Sequence, residues 1–171
     1  MNRTLFRTLS ALACTTVLAV SCYKENADGD KTSAIYGHWV LDTQTIVVEA
    51  AVGGTGSTNR TVVDFTGSGC YLELGVEGAS ARLGIDFAVA IFSYDADSQR
   101  LDFPRGLSVK GDGKTFILAG SYDVTELNDK KLVLSQKDIG VSIGSLVDAS
   151  QTAIYEFHKK EDTAGREERQ Y

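Results

Sequence analysis

An alternation of apolar and polar residues with a period of two runs through most of the chain and constrains its fold more than any other feature. In one clear example, Phe116, Leu118, Tyr122 and Val124 share one face of a single segment. Side chains alternate in this way on a β-strand, whereas a helix repeats them every three to four residues. No segment after residue 33 keeps a helical spacing over three turns, so we predict an all-β domain.

Glycines and polar turns divide this pattern into roughly eight strands. The chain has 17 glycines and a single proline. The strongest turn signal is Asp112-Gly113, inside a predicted hairpin at 110–114, because both residues tolerate the positive φ of a tight turn. A second hairpin is predicted at 127–130. The longer predicted strands are 39–47, with its odd-numbered residues on the face of Trp39, then 61–65, 70–76, 83–91, 116–124 and 152–158.

Successive antiparallel strands joined by short hairpins favour an up-and-down barrel of about eight strands, because closure removes the exposed sheet edges. A two-sheet β-sandwich stays open as the alternative, since local hairpins occur in both architectures. Two segments lie outside the strands. The glycine-rich segment 52–59 is predicted to be a flexible loop, and 138–149 has no clear assignment as loop, helix or strand.

The strand predicted over 83–91 decides how much space the barrel encloses. We expect its bulky face to point inward and to fill much of the interior; that face consists of Leu83, Ile85, Phe87, Val89 and Ile91. The opposite orientation would place Gly84, Ala88 and Ala90 inside and open room for a ligand. It would also leave a large apolar face that needs cover from a second layer or a partner.

The first 21 residues have the organisation of an export signal. Arg3 and Arg7 precede an apolar run that ends near Ser21. That run is about 13 residues long, too short to span a bilayer as a helix but typical of a signal-peptide core. The small residues Ala19 and Ser21 place a cleavage site directly before Cys22.

The segment Leu18-Ala-Val-Ser-Cys22 resembles the lipobox of bacterial lipoproteins. The resemblance implies cleavage before Cys22 and a lipid on its thiol, with residues 22–33 as a flexible tether to the membrane. Tyr23 follows the cysteine where an aspartate would imply retention at the inner membrane, so the resemblance implies an outer-membrane lipoprotein. Cleavage by an ordinary signal peptidase, giving a protein secreted to the periplasm, stays open as the alternative.

The segment Tyr36-Gly37-His38-Trp39 resembles the Gly-x-Trp motif of lipocalins. The resemblance implies that Gly37 admits the chain tightly and that Trp39 caps the closed end of a barrel. Residues 153–160 are similar to the closing strand of the short lipocalin-like domains of bacterial envelope lipoproteins. Lipocalins pair the tryptophan with a basic residue near the last strand, where this chain has Lys159 and Lys160. The likeness spans 34–160 and implies a cup for a small hydrophobic ligand.

Charge and cysteine content narrow the classes of function. Loss of the two leader arginines leaves 15 basic and 23 acidic residues, a formal charge of −8 that disfavours nucleic acid as a partner. With Cys14 removed and Cys22 acylated, Cys70 has no disulfide partner and is expected to be a small buried hydrophobe. His38 and His158 are both predicted to point outward, which disfavours a metal site between them.

No catalytic motif or cofactor-binding motif is present, so we predict a non-enzymatic protein without cofactor or metal. The main hypothesis is a lipid-anchored envelope lipoprotein, attached to the membrane through Cys22, whose lipocalin-like barrel at 34–160 binds a small hydrophobic ligand. The alternative is a structural or interaction lipoprotein with a solid barrel, whose loops 52–59 and 138–149 contact a protein or glycan. Residues 161–171 are predicted to be a charged, disordered tail, and the oligomeric state stays open.

Overall fold

The computed structural model describes residues 33–52, 55–137 and 147–160. Within these ranges a short 3-10 helix, Ser33–Ile35, is followed by strands and turns. The strands are β1 (Gly37–Val52), β2 (Thr55–Asp64), β3 (Tyr71–Gly75), β4 (Gly78–Leu83), β5 (Asp86–Ala90), β6 (Ser93–Asp95), β7 (Arg100–Gly111), β8 (Lys114–Leu127), β9 (Lys131–Lys137) and β10 (Val147–Lys159). Of the described residues, no helix has the length and apolar composition needed to cross a membrane.

The strands form one antiparallel sheet in the order β5-β4-β3-β1-β10-β9-β8-β7-β6, with β2 paired to β1 outside this path. The first and last long strands pair along their length, from Trp39 opposite Lys159 to Val52 opposite Val147. Along its other edge β1 pairs first with β3 and then with β2. These two strands therefore lie end to end beside β1. The prediction of an all-β fold with antiparallel neighbours is confirmed.

The sheet is strongly curled and forms an open half-barrel. The ends of the strand order are β5 and β6, and in the described part of the chain no ladder joins β5 to β7, which lies alongside it. One hydrogen bond bridges the gap: the Lys110 N–H donates to Asp86 Oδ2 at 2.7 Å. Gly111 and Leu83 also approach so closely that a Cβ on Gly111 would lie 2.8 Å from the Leu83 carbonyl oxygen.

The concave side of the sheet is filled by one cluster of large apolar side chains. Trp39, Phe65, Phe103, Phe116 and Phe157 are fully buried in it. The Phe116 ring contacts the Phe157 ring edge-on, with their centroids 6.1 Å apart. Edge-to-face pairs of this kind add about 0.5–1.5 kcal/mol each beyond the burial of their area. The fold is therefore held by side chains that meet inside the curl.

A β-bulge at Asp42 changes which residues of β1 face this core. The register with β10 shifts there, so that Gln44 lies opposite Tyr155 and its Nε2–H donates to the Tyr155 hydroxyl at 3.4 Å. Ile46 packs against the core on the same side. Thr45, although buried, lies opposite Ile154 and on the other side. The prediction that all odd-numbered residues of 39–47 share one face is wrong beyond this bulge, because one extra residue reverses the alternation.

The prediction of one inward-facing bulky strand over 83–91 is also wrong. Gly84 has φ +62° and forms a two-residue turn with Ile85, which splits the segment into β4 and β5. Leu83 is buried at the end of β4, but after the turn it is Ala88 and Ala90 that pack against the core. The bulky residues Phe87, Val89 and Ile91 are exposed instead. Residues that pair directly across an antiparallel hairpin point to the same side of the sheet. Because Leu83 pairs with Asp86 across the two-residue turn, the inward-facing residues change from odd numbers in β4 to even numbers in β5.

The two predicted loops have different outcomes. The flexible loop at 52–59 is wrong, because Thr55–Asn59 belong to β2 and pair with β1. Of the segment 138–149, residues 147–149 belong to β10 and the rest lies outside the described residues. The predicted signal peptide at 1–21, nearly all of the tether 22–33 with Cys22, and the tail 161–171 also lie outside them.

Candidate functional site

Gly37 and Trp39 lie together at one end of the sheet. Trp39 is fully buried, and its indole N–H donates to the Ile35 carbonyl at 2.9 Å. The Lys159 ammonium lies 5.1 Å from the centre of the indole ring. Gly37 has φ +148°, and a Cβ there would lie 2.7 Å from Lys159 Cε. The backbone conformation therefore favours glycine here, and the absence of a Cβ lets the flexible Lys159 side chain cross it.

This Gly37–Trp39–Lys159 cluster is suited to holding strands together. It joins the start of β1 to the end of β10 through the residues that pair in register. A lysine over an indole contributes about 0.5–2 kcal/mol, with the larger value where the pair is desolvated. Its contacts join two strands, so we call it a structural clamp.

The buried groups that could ionise are held neutral. Tyr155 donates its hydroxyl proton to the Ile117 carbonyl at 2.8 Å, and Tyr122 accepts from the Ala119 N–H at 3.0 Å. Burial raises the pKa of both tyrosines. Burial likewise raises the pKa of the Cys70 thiol to about 12. Cys70 is fully buried, as expected, and its thiol is protonated at neutral pH.

The two histidines lie on the convex side of the sheet. His158 is exposed, and its Nδ1 lies 2.8 Å from Asp42 Oδ1. The ring of His38 lies against that of Tyr71, with their centroids 4.2 Å apart. Among residues 33–52, 55–137 and 147–160, no three histidine, cysteine, aspartate or glutamate side chains are grouped as a metal ion would require.

The largest group of exposed apolar side chains in the described part of the chain lies on the convex side of β5 and the turns next to it. Five large apolar side chains are exposed there, and we call this surface the β5 face: Val76 (85%), Ile85 (100%), Phe87 (57%), Val89 (71%) and Ile91 (63%). They run from the β4–β5 turn to the β3–β4 turn, a distance of about 20 Å at the rise of a strand. Isolated exposed apolar residues are common, whereas a continuous apolar stripe marks a site of interaction.

A groove of about 700 Å³ lies at one end of the β5 face. Its floor is low because Gly75 and Gly78 pair with each other and carry no side chains. Its walls include Val76 on one side and Val89 with Ile91 on the other. Glu73 also lines it, and that carboxylate accepts from the Ser80 hydroxyl across the sheet at 3.5 Å.

The charges around the β5 face differ between its two ends. Near Phe87 lie Arg82, which is opposite it in the register, and Lys110, whose N–H is bonded to Asp86. The Arg82 guanidinium also donates to the Gly84 carbonyl at 2.8 Å, which holds it beside the β4–β5 turn. The other end has the carboxylates of Glu73 and Glu77 and the guanidinium of Arg105. One end is therefore net positive and the other net negative.

Sequence reasoning identified Gly37 and Trp39, which the structure brings together with Lys159. It considered an outward-facing apolar side of 83–91 but preferred the inward orientation, because it treated 83–91 as one strand; the structure has Ala88 and Ala90 inside and Phe87, Val89 and Ile91 exposed. The signal was Gly84, since a glycine inside an apparent strand often marks a turn or bulge. Cys22 lies outside the described residues.

Fold and site together define an all-β protein built on an antiparallel, strongly curled half-barrel with one exposed apolar face. Comparison with protein-family models, with curated proteins and with solved structures finds no match to this chain.

Proposed function

We propose that this protein is a non-enzymatic, lipid-anchored lipoprotein of the cell envelope that binds a partner through the β5 face. The observation that carries the proposal is the placement of Phe87, Val89 and Ile91 on the convex side of β5, whose concave side has Asp86, Ala88 and Ala90. This is the interaction hypothesis of the sequence, moved from the loops to a sheet face.

The rest of the convex surface supports this assignment by contrast. On β10 the residues that alternate with the core are Glu156 and His158, and on β2 a single exposed valine, Val62, lies between Arg60 and Asp64 on the same side. Water solvates such a surface without penalty. Exposed Phe, Val and Ile side chains gain about 25 cal/mol for each Å² that a partner covers. Binding at the β5 face therefore has a larger driving force than binding at the exposed side of β2 or β10.

The proposed anchor rests on the sequence before the domain. The basic and apolar leader ends just before Cys22, and the first described element of the domain begins at Ser33, eleven residues later. A tether of about ten residues would keep the domain within a few nanometres of the membrane surface. We propose outer-membrane attachment, since Tyr23 rather than aspartate follows Cys22.

We also propose that the half-barrel is of lipocalin-like type. Two features support this: the pairing of the first with the last long strand, and the position of Lys159 over Trp39. The filled concave side argues against a deep internal cup, so this likeness concerns architecture rather than a binding cavity.

The anchor is tested by Cys22→Ala in the full-length chain. We expect the wild-type protein to fractionate with outer membranes and its N-terminal peptide to have the added mass of acyl chains. The Cys22→Ala variant is expected to lose both properties. Recovery of the unmodified Cys22 peptide from the wild-type protein in the soluble fraction would contradict the proposal and favour secretion to the periplasm.

The interaction surface is tested by a photo-crosslinking amino acid placed at Val89 in the full-length chain. Val62 on β2 is the matched control, because it is a similarly exposed valine (53%) on another part of the sheet. We expect a reproducible adduct from position 89 in intact envelopes and little from position 62. Equal yields from the two positions would overturn the proposed function.

A second candidate function is the binding of a small apolar molecule in the groove beside Val76, Val89 and Ile91. The groove of about 700 Å³ is large enough for a drug-sized ligand, and Arg105 could pair with an acidic group on it. Native mass spectrometry of the gently purified protein tests this. A reproducible extra mass released on denaturation, and absent from a Val89→Trp variant that fills the groove, would support ligand binding. A bare mass after incubation with envelope lipid extract would exclude it.

A further inference from the structure

We propose that a second pocket, on the convex side of β1, β3 and β4, binds a small organic anion in which a carboxylate or phosphate is attached to a ring. The pocket has a volume of about 390 Å³, and we call it the Tyr71 pocket. Its lining consists of His38, Val40, Gly69, Tyr71, Arg82 and Lys160. None of the apolar residues that define the β5 face lines it, so this inference does not depend on the proposed function.

The register of three strands places the lining on one side of the sheet. Tyr71 on β3 pairs with Val40 on β1 and with Arg82 on β4. Side chains that pair directly across antiparallel strands share one side of the sheet, with their Cβ atoms about 4.5–5.5 Å apart. Because Trp39 and Leu72, one residue along, are buried in the core, this row faces away from the core. The Tyr71 ring therefore lies between an apolar side chain and a guanidinium group.

His38 and Gly69 give the pocket its shape around Tyr71. The imidazole ring of His38 lies against the Tyr71 ring, with centroids 4.2 Å apart and planes tilted by 34°. Gly69 has φ +67°, and a Cβ added there would meet no atom within 4 Å, so the space beside it is open. A ring of a ligand therefore has room to pack against Tyr71 and Val40. Contacts between aromatic rings add to affinity beyond the area that they bury.

Two cationic side chains give the pocket its preference for an anion. Arg82 Nε–H donates to the Gly84 carbonyl at 2.8 Å, and its two terminal nitrogens have no partner among the described residues. Lys160 lies across β1 from Arg82, where its backbone N–H donates to the His38 carbonyl at 2.9 Å. In the described part of the chain neither side chain is in a salt bridge. The terminal N–H groups of an arginine match two oxygens of a carboxylate or phosphate, and a lysine adds a point charge.

Two carboxylates border the pocket, but each has another partner. Glu73 pairs in register with His38 and accepts from the Ser80 hydroxyl at 3.5 Å. Asp42, farther along β1, has its Oδ1 2.8 Å from His158 Nδ1. Neither carboxylate lines the pocket. The whole chain has a formal charge of −6, so a lining with two cations and no carboxylate is a local exception that favours an anion over a cation.

The positions of these groups define the ligand further. Arg82 is the direct neighbour of Tyr71 in the register, so the anionic group must be attached close to the ring. Phenyl phosphate has this arrangement and serves as a probe. The same chemistry occurs in free aromatic acids and acidic sugars and in the head groups of lipids.

The first experiment measures the binding of phenyl phosphate to the full-length mature protein in a neutral detergent, by NMR of the backbone amides. We expect saturable shifts at His38, Val40, Tyr71 and Arg82, with a Kd at or below about 1 mM. Inorganic phosphate and phenol each have half of the ligand chemistry, and both are expected to bind at least about fivefold more weakly. The absence of shifts at these amides, or equal binding of inorganic phosphate, would overturn the proposal.

The second experiment removes the two charges one at a time. Arg82→Gln and Lys160→Gln are each expected to raise the Kd of phenyl phosphate about five- to tenfold. Arg82→Lys keeps the charge but loses the paired N–H groups, so its Kd is expected to lie between those of the wild type and Arg82→Gln. Lys160→Gln makes the test independent of the β4–β5 turn, because only the Arg82 variants alter the hydrogen bond to Gly84.

Loss of a charge at distant sites gives the matched controls. Arg60→Gln and Lys137→Gln make the same changes on β2 and β9, outside the pocket. Both are expected to leave the Kd unchanged. If they weaken binding as much as Arg82→Gln and Lys160→Gln do, the probe responds only to the overall charge of the protein and the pocket assignment is wrong. Crosslinking from Val89 tests the proposed function separately, so either proposal can fail alone.

The last experiment identifies the source of the anion. The protein is purified gently from envelopes and denatured, and the released compounds are separated into organic and aqueous phases for mass spectrometry. An acidic compound that is depleted in the Lys160→Gln protein would support the proposal, as a lipid head group if it is in the organic phase and as a free anion if it is in the aqueous phase. Equal amounts of every acidic compound from the wild type and Lys160→Gln would contradict selective binding in the Tyr71 pocket.

Discussion

Strand β10 points its bulky residues towards the core, whereas strand β5 points its small residues towards the same core. On β10, Tyr155 and Phe157 are buried while Glu156 and His158 lie on the convex side. On β5 the alanines pack inward and the bulky residues are exposed. Both strands alternate with a period of two, so the alternation alone does not determine which side of a strand is buried.

The difference follows from the space that each strand faces. The concave side of β10 faces large side chains of β8, since Phe116 and Tyr122 pack edge-on against Tyr155. Strand β5 lies against β7, close to the point where Gly111 approaches Leu83. We infer that this close packing leaves little room on the concave side of β5, so small Ala88 and Ala90 face the core and the large side chains lie outside.

The test with the largest expected effect compares one substitution on the buried side of the sheet with one on the exposed side. We expect Phe157→Ala to lower the free energy of unfolding by about 3–5 kcal/mol, because it leaves a cavity in the core. Phe87→Ala should change it by less than about 0.5 kcal/mol, since this ring is mostly solvated. Urea unfolding of the purified variants, followed by the fluorescence of the single tryptophan, gives both values. Similar losses for the two variants would contradict the assigned faces.

Unfolding at alkaline pH tests the burial of Cys70 on the core side of the sheet. The pKa of Cys70 is raised from its ordinary value near 9 to about 12, so the unfolded chain loses this proton before the folded one does. Its contribution to stability is complete below about pH 9 and is lost as the pH rises towards 12. We expect a loss of about 2–3 kcal/mol by pH 11 from this thiol. Cys70→Ala should show a shallower decline, and an equal slope in both proteins would refute the burial effect.

A larger side chain on the inward side of β5 tests how much space there is beside this strand. Ala88→Leu adds volume between β5 and β7 and is expected to destabilise the protein by about 1–3 kcal/mol. Val89→Leu, one residue along and on the exposed side, is expected to be nearly neutral. Thermal unfolding of the two variants measures the difference. A neutral Ala88→Leu would mean that the space between these strands is wider than the account requires.

The smallest expected effect concerns the clamp at the end of β10. Lys159→Met keeps most of the side chain that crosses Gly37 but removes the charge over Trp39. We expect a loss of about 0.5–1 kcal/mol and a shift in tryptophan emission. Lys160→Met is the control, because this exposed neighbour has no such contact with the indole among the described residues. Equal effects would remove the basis for assigning the clamp to Lys159.

Parts of the fold that depend on short-range chemistry could be predicted from the sequence. The hairpin at Asp112-Gly113 has positive φ at both residues, as expected. The turn before Lys131 is closed by Asn128, whose side-chain oxygen accepts from the N–H groups of Lys130 and Lys131. Such turns depend on a few adjacent residues, which is why a single sequence indicates them.

The bulge and the reversed strand could not be predicted in the same way. Residues 46–48 are Ile-Val-Val, so either alternation of β1 would bury an apolar residue, and the bulge at Asp42 leaves no mark in the pattern. The orientation of β5 depends on its distance from β7, a contact between residues about 24 positions apart at Asp86 and Lys110. The sequence therefore left both orientations of this segment possible, and the less favoured one is found, although Gly84 indicated the turn.

The measurement that tests the central claim most directly is covalent footprinting of the β5 face in two conditions. A photoactivated carbene probe is applied to the full-length protein in intact envelopes and to the same protein purified and diluted. We expect Phe87, Val89 and Ile91 to be labelled several times more strongly in the dilute protein, while Val62 is labelled equally in both. Equal labelling of the β5 face in the two conditions would mean that nothing covers it in the envelope, and would contradict the account.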